Sequence, residues 1–304
     1  MPLHYELSDL RLLLILMRTR SLSASGEAAH LTTSAVSLRL RKLEDGIGAQ
    51  LFTRTGKGLV PTEAGTALAE AAVPILAESA ALDARLNPFS KHDPEPLRIF
   101  SNSTGLQNFL CRIAADYLRE NSSFRAVLTE QRSSLTPEAV LTGEADLGLI
   151  GGIRELSPAY RTKLELVQFV EDRHVVILPR DSSAAQQFKN RPILFAELLN
   201  LRFAALTDAS PMTAAMKERA LAAGFRFEPI IEAPSFSLLV ELVARGPLAA
   251  VVPASAVPPN APVEVRELED SWAARPLAFV LPKARPALPS AIDFVEFALC
   301  TQKR

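Results

Sequence analysis

The sequence predicts an α/β chain made of a small helical head, one long connecting helix and a larger strand–helix body. Three observations predict it. Between residues 7 and 47, apolar residues recur at helical spacing in three short blocks. One helical pattern then runs unbroken by any strand from 62 to 87. From residue 97 onward, short apolar runs alternate with amphipathic stretches, as in an open α/β sheet.

A length of 304 residues suits about two domains, and 48% apolar residues supply a sizeable core. The formal net charge of −1 excludes a uniformly basic nucleic-acid coat. The charge is uneven, however. Residues 1–60 hold eight Lys and Arg against five Asp and Glu, a balance of +3 that leaves −4 for the rest. Positive charge gathered on one end is an electrostatic footprint for nucleic acid. Two cysteines, Cys111 and Cys300, make no disulfide framework and suit a cytosolic compartment.

The first helix spans 7–18. Its apolar run from Leu10 to Met17 is interrupted by Arg11 and preceded by Glu6 and Asp9. It is too short for a bilayer and lacks the basic lead of a signal peptide, so it is expected to be buried in the head. The second helix spans 21–31, with Ser21 or Ser23 as its cap and Ala28, Ala29 and Leu31 as its apolar members. Thr32, Thr33 and Ser34 form a turn and cap the third helix.

In that third helix Val36, Leu40, Leu43 and Ile47 share one stripe. Ser34, Ser37, Leu38, Arg41 and Lys42 share the opposite, short and basic face. Taken alone, such a face also suits a solvated helix. Helix, tight turn and basic helix together make a helix-turn-helix. Gly46 and Gly48 end the pattern, and residues 51–60 fold back around Thr55-Gly56-Lys57-Gly58 as a two-stranded wing. Ser34, Ser37, Leu38 and Arg41 are expected in a major groove, with Thr33 at the helix start and Leu38 against a thymine methyl. Arg39, with Arg54 and Lys57 at the wing tip, would hold phosphates.

The long helix of 62–87 has Thr62 as cap and Pro74 as an expected kink. Its small apolar residues spread over more than one face, so it needs a partner. Residues 88–96, rich in proline and polar side chains, form a hinge. In the body, strands are expected at 97–100, 126–130, 145–150, 164–170, 174–178, 202–205, 229–232, 248–252, 263–268 and 277–281. Helices are expected at 106–120, 137–142, 194–200, 213–224, 236–244 and 288–300.

Ligands of open α/β sheets sit beyond the carboxyl ends of strands. The first body strand runs into Ser101, Asn102, Ser103 and Thr104 before a helix, an arrangement suited to an anion. Ser133 and Ser134, Gly151, and Thr207 follow later strands and would converge on the same cleft, although each such turn also reads as a plain helix cap. Cys111, early in the helix beside that cleft, is expected to be a buried core thiol rather than a redox sensor. No catalytic set is visible. The histidines are scattered without metal spacing, and there is no nucleophile elbow or phosphate loop, so no enzyme, metal or cofactor is expected.

Residues 21–54 resemble the N-terminal domain of LysR-type transcriptional regulators. The resemblance rests on Ser21-Leu22-Ser23, Ala28, Leu31, Ala35-Val36-Ser37, Leu43-Glu44, Gly48, Leu51-Phe52 and Arg54, followed by Pro61-Thr62-Glu63-Ala64-Gly65. There are departures. Ser25-Gly26 stand where the family usually has two alanines, Thr33-Ser34 where Gln-Pro is frequent, and Leu38 where a longer polar side chain is common. A mid-helix glycine costs roughly 0.5–1 kcal/mol relative to alanine, so the second helix is expected to be softened. In the body, Gly143-Glu-Ala-Asp-Leu-Gly148 and Pro179-Arg-Asp181 carry a weaker likeness to the family's regulatory domain.

The resemblance implies a winged helix-turn-helix over 1–61, a dimerising linker helix over 62–87 and an effector-binding domain over 97–304. That last domain would have the two-lobed fold of periplasmic solute-binding proteins. Lobe one would comprise about 97–167 and 268–304, and lobe two about 168–267. The implied protein is a cytoplasmic homo-oligomer, dimer or tetramer, on a pseudo-palindromic operator, answering to a polar or anionic small molecule, with RNA polymerase as a further partner. Competing readings each lack something. A solute-binding transport component needs a secretion signal, another effector-sensing winged-helix regulator needs a different sensor domain, and an α/β enzyme needs a nucleophile–base pair.

Overall fold

The computed structural model describes residues 5–56, 58–86, 89, 95–153, 156–189, 191–208, 210–283 and 286–302. The chain opens with α1 (Leu7–Thr19), α2 (Leu22–Ala29) and α3 (Thr33–Ile47). The antiparallel pair β1 (Phe52–Thr55) and β2 (Gly58–Pro61) follows, then α4 (Glu63–Leu86). Leu10, Leu13, Leu16, Val36, Leu40, Leu43, Leu51 and Leu76 close one core among these elements.

Helix α1 starts at a reciprocal box in which the Glu6 amide donates to Asp9 at 3.0 Å, and the next three helix starts are each set by a hydroxyl. Ser21 accepts from the Ala24 amide, Thr32 from that of Ala35, and Thr62 from that of Gly65. Such caps satisfy amides that have no partner within the helix. The expectation for α2 needs correction. Ala28 is exposed, while Ser25 and Gly26 are buried. A Cβ on Gly26 would lie 2.6 Å from the Leu31 carbonyl, so the glycine permits the tight turn into α3 rather than softening α2.

The body continues with β3 (Leu97–Ser101), α5 (Ser103–Gly105), a π turn (Leu106–Leu110), α6 (Cys111–Glu120), β4 (Ala126–Glu130), α7 (Thr136–Leu141) and β5 (Leu147–Gly151). Next come α8 (Pro158–Lys163), β6 (Leu164–Glu171), β7 (His174–Pro179), α9 (Ser183–Gln187), α10 (Phe195–Leu198) and β8 (Ala204–Leu206). The chain finishes with α11 (Pro211–Ala222), β9 (Ile231–Ala233), α12 (Phe236–Arg245), β10 (Ala250–Pro253), β11 (Val263–Glu267), β12 (Pro276–Pro282) and α13 (Pro289–Gln302).

Two sheets result, one per lobe. The first has the order β4-β3-β5-β12-β6, with β3 parallel to its neighbours and β12 antiparallel to both of its own. The second has the order β10-β7-β11, with β8-β9 joined to it by a bridge from Phe203 to Ala249. Because β6 pairs with β12 through Glu171, residues 168–171 belong to the first sheet. The chain therefore crosses between lobes after Glu171 and returns between Glu267 and Pro276, later at both points than expected. Helices α8 and α9 add to the elements expected from the sequence, and the hinge of 88–96 lies largely outside the described residues.

The head rests on lobe one of its own chain. Helix α4 packs on α7, and Gly143, at φ +74°, lets the turn after α7 close onto Ala80. Arg18 at the end of α1 pairs with Glu144 at 3.3 Å. Burial raises the Glu138 carboxyl on α7 above the usual carboxylate range; Arg18 opposes this shift and Glu144 adds to it.

Candidate functional site

Two surfaces gather the residues singled out in the sequence. On the head, α3 presents Thr33, Ser34, Leu38, Arg41 and Lys42 to solvent, with Leu38 54% exposed. Leu38 is the one large apolar side chain on that otherwise polar face of α3. Arg54 is not at the wing tip. It lies within β1, and its Nη2 donates to the Ser37 hydroxyl at 3.2 Å. The wing thus brings one guanidinium to α3. Lys57 falls outside the described residues.

Arg39 also differs from expectation. Its Nη2 donates to Ser8 at 3.4 Å and its Nε lies 3.9 Å from Asp9, at the start of α1. A phosphate would have to share that guanidinium with an acid. Behind this surface, Glu44 accepts from the Leu51 and Phe52 amides and so fixes where the wing begins. The β2 strand is tied to α1 through the Leu59 amide and the Arg20 carbonyl, with Gly58 at φ +115° in close contact there.

In the body, a small cleft, partly open to solvent, lies between the lobes. Lobe one lines it with Ser103, Thr104, Gln107 and Asn108. Lobe two lines it with Leu206, Pro234, Ser235, Phe236, Ser237 and Ala256. No charged side chain is among them. Two helix starts face this space, one capped by Asn102 and the other by Ser235. The amides there favour negative charge in a ligand.

The structure divides the predicted cleft residues. Ser103 and Thr104 line the cleft. Asn102 caps α5 and donates to Ser133, so both side chains are engaged beside the cleft rather than in it. Ser101 is a correction: it is fully buried, and its hydroxyl donates to the Leu149 carbonyl at 2.6 Å. Ser134 and Thr207 are exposed and Gly151 lies against the Arg275 guanidinium; none of the three lines the cleft. Cys111 is exposed, not a core thiol.

Sequence reasoning missed Gln107 and Asn108, which the π turn directs into the cleft, and the Ser235–Ser237 pair. The latter had a readable signal: Ser-Phe-Ser before an apolar helix repeats the logic of Ser101–Thr104. His174, on the crossover side of lobe two, is half-buried with its ring 5.8 Å from that of Trp272, and burial first, then the charges of Arg275 and Arg219, lower its pKa to about 4.

Both parts of the chain have counterparts among known proteins. The family described as LysR substrate binding domain matches residues 90–302. The family described as bacterial regulatory helix-turn-helix protein, lysR family, matches residues 7–66. The HTH-type transcriptional activator IlvY of Salmonella typhimurium is 31% identical over 146 residues, 48% of this chain and 50% of that protein. The chain thus spans about half the length of that curated relative. The RuBisCO operon transcriptional regulator of Allochromatium vinosum is 28% identical over 215 residues, 71% of this chain and 68% of that protein. Among solved structures, a full-length OxyR variant from Pseudomonas aeruginosa superposes with a TM-score of 0.62 at 19% identity, covering 97% of this chain and 95% of that one. That likeness is one of fold.

Proposed function

The chain belongs to the LysR family of bacterial helix-turn-helix regulators, and we propose that it binds operator DNA as a homo-oligomer under the control of a small effector. The operator is pseudo-palindromic duplex DNA, the setting is cytoplasmic, and RNA polymerase is the further partner at the promoter. The observation that carries this reading is the exposed face of α3, where hydroxyls, a bare leucine and two cations stand together beside Arg54. In the proposed docking Ser34, Leu38 and Arg41 read base edges while Lys42, Arg54 and Lys57 hold phosphates.

A second copy is supported by what the chain leaves uncovered. Helix α4 over Glu63–Asp83 is long and apolar enough to cross a bilayer by length and composition, and 28% of it is buried. Glu70, Glu78 and Asp83 lie exposed along it, which a bilayer would penalise and a partner helix in water would not. Each lobe also leaves large apolar side chains exposed: Leu118, Val127 and Leu128 in lobe one, and Leu221, Phe225, Ile230 and Ile231 in lobe two. Two copies related by a two-fold axis can cover one set with the other twice.

The effector reading rests on the uncharged, hydroxyl-lined cleft with a helix start on either side. It suits a small polar or anionic molecule. The test uses the purified full-length chain against fragments of its own genome, with anisotropy read across a salt series and mass read by sedimentation. The expected result is an oligomer that binds a discrete fragment with steep salt dependence. A monomer that binds no fragment at low salt overturns the reading.

A further inference from the structure

Asn108 of lobe one and Ser255 of lobe two meet at the cleft, with Asn108 Nδ2 donating to Ser255 Oγ at 3.0 Å. The Ser255 hydroxyl has one proton, and it goes to Asp172: Oγ donates to Oδ2 at 2.9 Å, while the Ser255 amide donates to Oδ1 at 3.1 Å. A carboxylate only accepts, so the Ser255 oxygen is left with lone pairs for a donor, and the Asn108 amide nitrogen is that donor. The polarity of the contact is therefore fixed from behind.

Asp172 is 4% exposed and sits on the first crossover between the lobes. Arg275 sits on the second. Its Nη1 lies 3.7 Å from Asp172 Oδ2, and its carbonyl accepts the Asp172 amide at 2.9 Å. The same guanidinium lies against Gly151 at the end of β5, where a Cβ would come within 2.8 Å of Nε. Asn108 is placed by the π turn, an arrangement that inserts one residue into a helix and re-aims its side chains. One chain of contacts thus links both crossovers, lobe two and a cleft-lining amide of lobe one.

We propose that the Asn108–Ser255 contact, with Ser255 held from behind by Asp172, is a clasp setting the spacing of the two lobes. A ligand acceptor that takes the Asn108 amide competes with Ser255 and releases the clasp. This rests on the effector reading of the cleft, but the clasp itself can be measured with no ligand.

The experiment places spin labels at two exposed turns, Ser122→Cys in lobe one and Asp181→Cys in lobe two, in a Cys111→Ser, Cys300→Ser chain. Labelled chain is diluted into excess unlabelled chain, and interlobe distances are read by pulsed electron resonance. Asn108→Ala and Ser255→Ala are expected to shift the ratio of close to wide separations by roughly fivefold, the worth of one hydrogen bond. Ser255→Thr, which keeps the hydroxyl, is expected to restore the original distribution. Distributions for Asn108→Ala and Ser255→Ala that superimpose on the unsubstituted chain overturn the clasp, as does a Ser255→Thr chain that behaves like Ser255→Ala. Anisotropy on the same chains keeps the two readings apart, because loss of DNA binding in every chain strikes the functional reading and leaves the distances unaffected.

Discussion

Arg54 of the wing donates to the Ser37 hydroxyl of the reading helix at 3.2 Å, and so places a cation where that helix would meet a phosphate. Arg54→Ala is expected to weaken operator binding about tenfold and to lower the slope of log affinity against log salt by about one. Anisotropy across a salt series measures both. A lower affinity with an unchanged slope would show that Arg54 orders Ser37 without touching DNA.

Gly26→Ala separates helix propensity from packing. Propensity alone predicts a gain of about 0.5–1 kcal/mol. The added Cβ would stand 2.6 Å from the Leu31 carbonyl, a backbone atom that cannot swing away. The expected outcome is a loss of about 1–3 kcal/mol in urea unfolding. A stabilised variant would show that the α2–α3 turn is not held as described.

Within the cleft, Ser103→Ala with Thr104→Ala is expected to abolish the thermal shift given by small carboxylates while leaving DNA binding intact. Ser101→Ala should do the reverse, lowering stability by about 1 kcal/mol through its buried bond to Leu149 and leaving the ligand shift in place. If Ser101→Ala alone removes the shift, the division between lining and supporting residues is wrong.

His174 gives the chain an acid-sensitive part. Its pKa is lowered from 6.5 to about 4, chiefly by burial and then by Arg275 and Arg219. Between those values the unfolded chain binds a proton that the folded chain does not. Stability therefore falls as pH drops from 6.5 toward 4 and levels off below, by about 3 kcal/mol in all. Urea unfolding of His174→Leu at pH 7 and pH 4.5 should lack this component, and an unaltered pH dependence would argue against it.

The head is legible in the sequence because its information is local. Periodicity shows the stripe of Val36, Leu40 and Leu43, and hydroxyls before the second, third and fourth helices show the caps at Ser21, Thr32 and Thr62. The cleft is half legible. Ser101 alternates with Ile99, which turns it inward at the end of β3, and the serine-rich turn that follows masks this. Cys111 departs from expectation because burial in α6 follows Ile113 and Tyr117, and the cysteine stands off that stripe after the π turn. Gln107 and Asn108 depend on that same extra residue, which no 3.6-residue pattern reveals. The lobe-two wall is assembled only once the ends of β8, β9 and β10 are brought side by side.

The seam at Arg18, Glu144, Ala80 and Gly143 has a mechanical corollary. With the head seated on lobe one, a swing of lobe two about its two crossovers leaves the angle of α3 to its own lobe one unchanged. Within one chain such a swing is mute. In the proposed oligomer, such a swing would be felt only where lobe two leans on a neighbouring copy.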